Sequence, residues 1–164
     1  MRLFATRLGA ALVAGFLVVG TLARADEEKV PLDKVPKAVM DAVKAKFPGA
    51  QIQNAATEKE EGKTVYELSL MYQKHHYDVT LTPEGMITDV EKEIDATNLP
   101  KAVAQVLETK YPKATYKRVE ELSKGNEKVT AYEVLLVTTG KKTFEVELDP
   151  KGKIIKETEQ KAKE

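Results

Sequence analysis

Two stretches of this chain, 64 residues apart, say nearly the same thing: "VPKAVMDAVKAKFPGA" from Val35 to Ala50, and "LPKAVAQVLETKYPKA" from Leu99 to Ala114. Seven of the sixteen positions are identical, and Val35/Leu99, Val43/Leu107 and Phe47/Tyr111 exchange like for like. An internal repeat constrains a fold more than any other feature, because both copies must be able to adopt the same structure. The match continues downstream. Tyr66-Glu67 recurs as Tyr132-Glu133, and "TPEGMI" (Thr82–Ile87) recurs as "DPKGKI" (Asp149–Ile154). The offset grows from 64 to 66 to 67 along these landmarks, so the second copy carries three extra residues in its loops.

Each copy opens with a helical pattern. Val35, Val39, Val43 and Phe47 recur every fourth residue, as do Leu99, Val103, Leu107 and Tyr111, which makes one apolar face. Pro36 and Pro100 suit a first helical turn, where a missing N–H goes unnoticed. Pro48 and Pro112 stop the helices, because the residue before a proline avoids the α region. Strands follow. Tyr66, Leu68, Leu70 and Tyr72 alternate with polar residues, as do Tyr77, Val79 and Leu81. Pairing Tyr72 with Tyr77, Leu70 with Val79 and Leu68 with Leu81 puts every apolar residue on one face. In the second copy Tyr132, Val134 and Leu136 face Phe144, Val146 and Leu148, all even-numbered, so the loop between them has an odd length. Gly140 is the expected residue for a positive φ in that loop. Further strands are expected near Ala50–Ala56 and Ala114–Glu121, and again near Met86–Ile94 and Lys153–Glu157. Glu58, Glu60 and Glu61, with Lys59 and Lys63, read as a solvated turn.

The expected fold class is therefore α+β: two tandem repeats, each a helix packed on an antiparallel sheet of about four strands. The boundaries are a leader at 1–25, repeats at 26–95 and 96–157, and a charged, frayed tail at 158–164. A unit of this size is marginal alone, so two copies sharing a core or continuing one sheet would be sturdier.

The ends and the composition narrow the setting. Arg2 and Arg7 precede an uncharged apolar run from Leu8 to Leu22, and Ala23-Arg24-Ala25 has the form of a cleavage site. That order is a secretory signal peptide. The apolar run falls short of the ~20 residues a membrane span needs, and no span is expected after cleavage. The expected location is periplasmic or secreted. Residues 1–25 hold three arginines and no acid, so the mature part keeps 23 of the 26 basic residues against all 26 acidic ones. A net charge near −3 argues against a nucleic-acid partner, which wants a clustered positive surface. Cysteine is absent, which removes thiol catalysis, cysteine metal sites and disulfides together.

With these residues laid out, the chain resembles the PepSY-like proteins, the group described as similar to β-lactamase-inhibitor proteins. The resemblance rests on [LV]-P-K-A-V-x(7)-K-[FY]-P-x-A, then Tyr-Glu opening a strand, then an aromatic-led strand ending in Pro-x-Gly. It covers nearly all of Val35 to Glu157, twice. It implies exported proteins with helix-on-sheet repeats, and binding or inhibition in place of catalysis. The related inhibitors grip an enzyme with their open sheet face and loops. This chain lacks the disulfides those inhibitors carry, so β-lactamase is not carried over as the target.

The residues offer little catalytic chemistry. The two histidines, His75 and His76, stand in "YQKHHYDV". His76 and Asp78, two apart, share a strand face and form the weak metal alternative, but adjacent histidines on a strand point opposite ways. A small-ligand or metal sensor of the envelope, centred on that hairpin, is the second functional reading. Ser69 lies mid-strand, several residues from His76, which is poor for a triad. No phosphate loop, dinucleotide pattern or cofactor signature is found, and the chain is not expected to be an enzyme. What remains is the sheet face away from the helix, carrying Glu67, Ser69, Met71, Asp78, Thr80, Glu133, Leu135, Val137, Glu145 and Glu147. Met71, Leu135 and Val137 are apolar where solvent favours polar residues. They pack against the other repeat or in a homodimer, or they bind an envelope or secreted protein partner, with Asp78 and Thr80 beside them.

Overall fold

The two "PKAV" stretches both become helices in the computed structural model, which describes residues 28–60, 62–125 and 127–160. The leader at 1–25 and residues 161–164 of the tail lie outside the described residues. Helix α1 spans Lys37–Lys46 and α2 spans Lys101–Lys110. Pro36 and Pro100 stand one residue ahead, at the N-cap, with φ of −54° and −55° and no side-chain cap. Each helix buries a two-residue stripe, Val39 and Val43 or Val103 and Leu107. Val35, Phe47, Leu99 and Tyr111 extend that stripe from just outside the helices and are also buried. The last amides, of Phe47 and Tyr111, still donate to Val43 and Leu107 before the proline ends the run.

All strands belong to one antiparallel sheet in chain order. They are β1 (Glu28–Lys29), β2 (Gln51–Glu60), β3 (Lys63–Tyr72), β4 (His75–Leu81), β5 (Ile87–Glu93), β6 (Thr115–Lys124), β7 (Val129–Val137), β8 (Thr143–Leu148) and β9 (Ile154–Gln160). Helix α1 connects β1 to β2, and α2 connects β5 to β6. Among the described residues the fold is thus mixed: nine antiparallel strands and two α-helices.

Several local expectations are corrected. Tyr72 pairs with His75, not Tyr77, and Leu70 pairs with Tyr77, Leu68 with Val79 and Tyr66 with Leu81. The turn is only Gln73-Lys74, at φ 50° and 70°, because a two-residue turn of this hand matches the twist of the strands. The slip is by two residues, so every side chain keeps its face. In the second hairpin Leu136 pairs with Phe144 and Val134 with Val146, and the loop 138–142 is odd as expected. The positive φ falls at Lys141, 62°, and not at Gly140, because Lys141 donates to the Thr138 carbonyl inside a turn that Thr138 and Lys142 close. Glu58, Glu60 and Lys63 lie in strands, since cross-strand pairing continues to Glu60–Lys63. Residues 156–160, expected in or beside a frayed tail, pair with β8 as far as Thr143–Gln160.

Register carries one face across the sheet. The row Leu70–Tyr77–Lys92–Glu121–Tyr132–Leu148 runs unbroken from β3 to β8. Both helices lie on this face, over two separate cores. Val39, Val43 and Phe47 pack with Leu68, Leu70, Val79, Leu81 and Val90. Val103, Leu107 and Tyr111 pack with Val119, Val134, Leu136, Val146 and Leu148. Aromatic rings close one end of each, with Phe47 5.5 Å from Tyr72 and 5.2 Å from Tyr77, and Tyr111 5.5 Å from Phe144. Between the cores, Lys92 Nζ sits 3.9 Å from Glu121. So the sheet is continuous while the core is divided.

Two turns lock the helices to the sheet. Gly85 and Gly152 both have φ of 87°. A Cβ at Gly85 would lie 2.5 Å from the Ala38 carbonyl oxygen, and one at Gly152 would lie 2.7 Å from that of Ala102. The Pro-x-Gly motif therefore serves two needs at once, a left-handed turn and contact with the helix backbone. A further tie crosses the middle: Lys46 Nζ, at the end of α1, donates to the Gly125 carbonyl at 2.8 Å.

Candidate functional site

Both helices lie on one face of the sheet, so alternation leaves the other without a helix. Its composition follows from register. One row reads Ser69–Asp78–Glu91–Leu122–Ala131. The next reads Glu93–Glu120–Glu133–Glu147–Lys156, four glutamates side by side on β5 to β8 before a lysine on β9. Then come Arg118–Leu135–Glu145–Thr158 and Val137–Thr143–Gln160. Like charges directly opposite each other oppose strand pairing, so a ladder of carboxylates in the middle of a sheet demands a local electrostatic account.

Part of that account is Arg118. Its Nε lies 3.0 Å from Glu120 Oε2 and its Nη2 lies 3.8 Å from Glu133 Oε1. The Nε is shielded from solvent but makes no directed hydrogen bond, so the contact with Glu120 is an ion pair by proximity alone. One guanidinium cannot neutralise the ladder. Glu120 is 1 % exposed. Burial pushes its carboxyl up to about 8; Arg118 opposes that, and Glu91, Glu133 and Asp78 add to it. Glu133 is raised to about 7, by burial first and then by Glu145 and Glu147, against Arg118 and Lys156.

The predicted residues take definite places here. Met71 pairs with His76, Asp78 with Glu91, and Thr80 with Glu67 and Asp89, all around β3 to β5. Leu135 lies between Arg118 and Glu145, and Val137 between Thr115 and Thr143. All five residues share the helix-free face, but Asp78 and Leu135 are apart in both directions: three strands separate them, and the row of Asp78 meets β7 at Ala131, four residues from Leu135. Met71, Leu135 and Val137 are half-buried, and none joins either core.

The histidine pair divides as alternation requires. His76 Nδ1 lies 3.6 Å from Asp78 Oδ2, while His75 faces the other way, its Nδ1 3.2 Å from the Glu93 carbonyl. Ser69 Oγ donates to Asp78 at 2.6 Å, so Ser69 is paired with a carboxylate and not with a histidine. The oxygens that converge belong elsewhere: Asp78, Glu91 and Glu120 each bring one within 4.8 Å of the others. These three could crowd around a cation, although Ser69 and His76 already engage Asp78, and Arg118 engages Glu120.

Glu91, Glu93, Glu120, Arg118 and Leu122 were missed from sequence. The alternation Arg118-Glu120-Leu122 was legible, but its meaning required knowing that β5 pairs with β6, and no local motif states that.

Comparisons fit this architecture. Residues 75–156 match the family described as "Putative beta-lactamase-inhibitor-like, PepSY-like", and residues 36–99 match the peptidase propeptide and YPEB domain family. No curated protein matches the chain. Among solved structures, a BLIP-like protein from Bacteroides fragilis is similar at 21% identity and a TM-score of 0.61, over 82% of this chain and 91% of that one. A DUF2874 family protein from Bacteroides uniformis is similar at 15% identity and a TM-score of 0.64, over 76% and 88%. A protein of Bacteroides eggerthii described as "putative periplasmic" is similar at 14% identity and a TM-score of 0.65, over 76% and 88%. These likenesses speak to fold.

Proposed function

This chain belongs to the PepSY-like, β-lactamase-inhibitor-like family, and on that premise we propose that it is an exported, non-enzymatic binding protein that holds a protein partner on its helix-free sheet face. The family is inhibitor-like, which supports a binding role, and the fold neighbour described as periplasmic supports an envelope setting. No helix among the described residues is long and apolar enough to cross a membrane. In this reading residues 1–25 are removed on export, and the mature chain carries two tandem repeats, each a helix over about four strands, fused through the β5–β6 pairing.

One observation carries the proposal. Met71, Leu122, Leu135 and Val137 are half-buried on a face that neither helix covers, and they belong to neither core. Apolar side chains on a helix-free face, rimmed by charge, are what a partner surface requires. The partner is unnamed, and β-lactamase is not assumed.

The test is capture from an envelope extract of the host, with the mature chain from Asp26 as bait and free mature chain as competitor. A saturable, competed partner is expected, and the double variant Leu135→Asp/Val137→Asp should lose it while its circular dichroism and melting stay native. Undiminished capture by that folded variant would place the interface elsewhere.

A further inference from the structure

We infer that the β5–β6 seam is a hinge between two halves of the molecule, and that Lys46 is the clasp that holds it. This does not depend on what the helix-free face binds. The first ground is the division of the core: the cluster under α1 and the cluster under α2 share no buried residue. What joins the halves is main chain. Five residue pairs run from Asp89–Lys124 to Glu93–Glu120, and beyond their ends the Gly125 amide donates to the Thr88 carbonyl at 2.7 Å and the Ile94 amide to that of Val119 at 2.9 Å. Over this seam, on the helix side, no apolar pair bridges the two cores. Lys92 faces Glu121, with Nζ 3.9 Å from the carboxylate, and Val90 faces Ser123.

A hydrogen-bonded ladder fixes the spacing of two strands but not their twist, which ranges from roughly 10 to 35° between neighbours. Interlocked apolar side chains choose one value, whereas halves joined by a small polar interface keep relative motion. Because the cores share no buried residue, rotation about the seam need not open either. The clasp lies at the end of α1. Lys46 Nζ donates to the Gly125 carbonyl, 2.8 Å away in the turn that follows β6. Gly125 is itself fixed, at φ 54° and by its bond to Thr88. The sequence repeat shows that this contact is peculiar to the first half. Lys110, 64 residues on, is the counterpart of Lys46, and it pairs with Glu157 on β9, inside its own half. Glu157 faces Val146; the residue in the same place in the first half, facing Val79, is Val90. A valine there offers no carboxylate, and the lysine reaches across the seam. Turning about the seam moves α1 against α2 on one side of the sheet and changes the curvature of the helix-free face on the other.

The chain has no cysteine, so spin labels attach only where a cysteine is introduced. In the mature chain, Lys44→Cys on α1 with Glu108→Cys on α2 reads the distance across the seam by double electron–electron resonance. Glu108→Cys with Thr130→Cys on β7 reads a distance inside the second half. All three sites are exposed. Lys46→Met keeps the aliphatic stem and removes the donor; it should widen the cross-seam distance distribution at least twofold, as should Lys46→Leu. Lys46→Arg keeps a donor and should leave the distribution as in the native chain. The pair inside the second half should not change in any of these variants. Adding Lys92→Met/Glu121→Leu to Lys46→Met sets apolar side chains over the seam, and should narrow the distribution again. The inference is overturned if Lys46→Met and Lys46→Leu leave the cross-seam distribution unchanged, or if Lys46→Arg widens it as much as they do. It is equally overturned if both label pairs widen together, since the lysine then holds the fold and not a hinge, or if the apolar seam leaves the distribution wide.

Discussion

At the scale of single residues, the unusual groups are Glu120 and Glu133. Both carboxyls are raised from an ordinary 4.5, to about 8 and about 7. The folded chain therefore holds protons that the unfolded chain has released between about pH 4.5 and 8. Stability must fall as pH rises through that window, because the native state binds more protons there. The loss from Glu120 is on the order of a few kcal/mol at most. Melting followed by circular dichroism at pH 5, 6.5 and 8 should show this decline. Glu120→Gln should raise the melting temperature at pH 8 and leave it nearly unchanged at pH 5; a flat profile in the native protein would show that Arg118 fully offsets the cost.

At the scale of elements, turns and helices meet by backbone contact. Gly85→Ala and Gly152→Ala each force a Cβ toward a helix carbonyl and hold an L-residue at positive φ. The φ alone costs about 1–2 kcal/mol, and the clash adds to it. Each variant should lower the urea midpoint clearly, and to a similar degree, because the two turns repeat one geometry. The β3–β4 hairpin offers the opposite change. Gln73 and Lys74 occupy positive φ at a cost that Asn and Gly largely avoid. Gln73→Asn/Lys74→Gly should therefore stabilise the chain by about 1 kcal/mol, read as a higher urea midpoint with an unchanged slope.

At the scale of the whole molecule, one sheet spans two cores. Leu68 and Leu136 are both fully buried, one in each core. Truncating either to alanine should cost about 2–5 kcal/mol. Native-state hydrogen exchange should show where the loss goes. Leu68→Ala should reduce protection in β3 and β4 more than in β7 and β8, since neither core contains buried members of the other. Equal loss of protection in all four strands would mean that the β5–β6 pairing and the Lys46–Gly125 tie couple the halves into one cooperative unit.

The local content of the fold can be read along the chain. Period-four stripes such as Val35-Val39-Val43-Phe47 located the helices, and period-two runs such as Tyr66-Leu68-Leu70 located strands and sorted their faces. Those signals are legible because burial imposes them residue by residue. Registers and ends were less legible: a slip of two residues in the Tyr72–His75 hairpin preserves the same faces, and turn geometry alone decides between the alternatives. The candidate site was half legible. Met71, Leu135 and Val137 could be picked out as apolar residues on a polar face. Only the tertiary structure could decide that β5 pairs with β6 and thereby lines up Glu93, Glu120, Glu133 and Glu147, because electrostatic meaning belongs to neighbours across strands and not to neighbours along the chain.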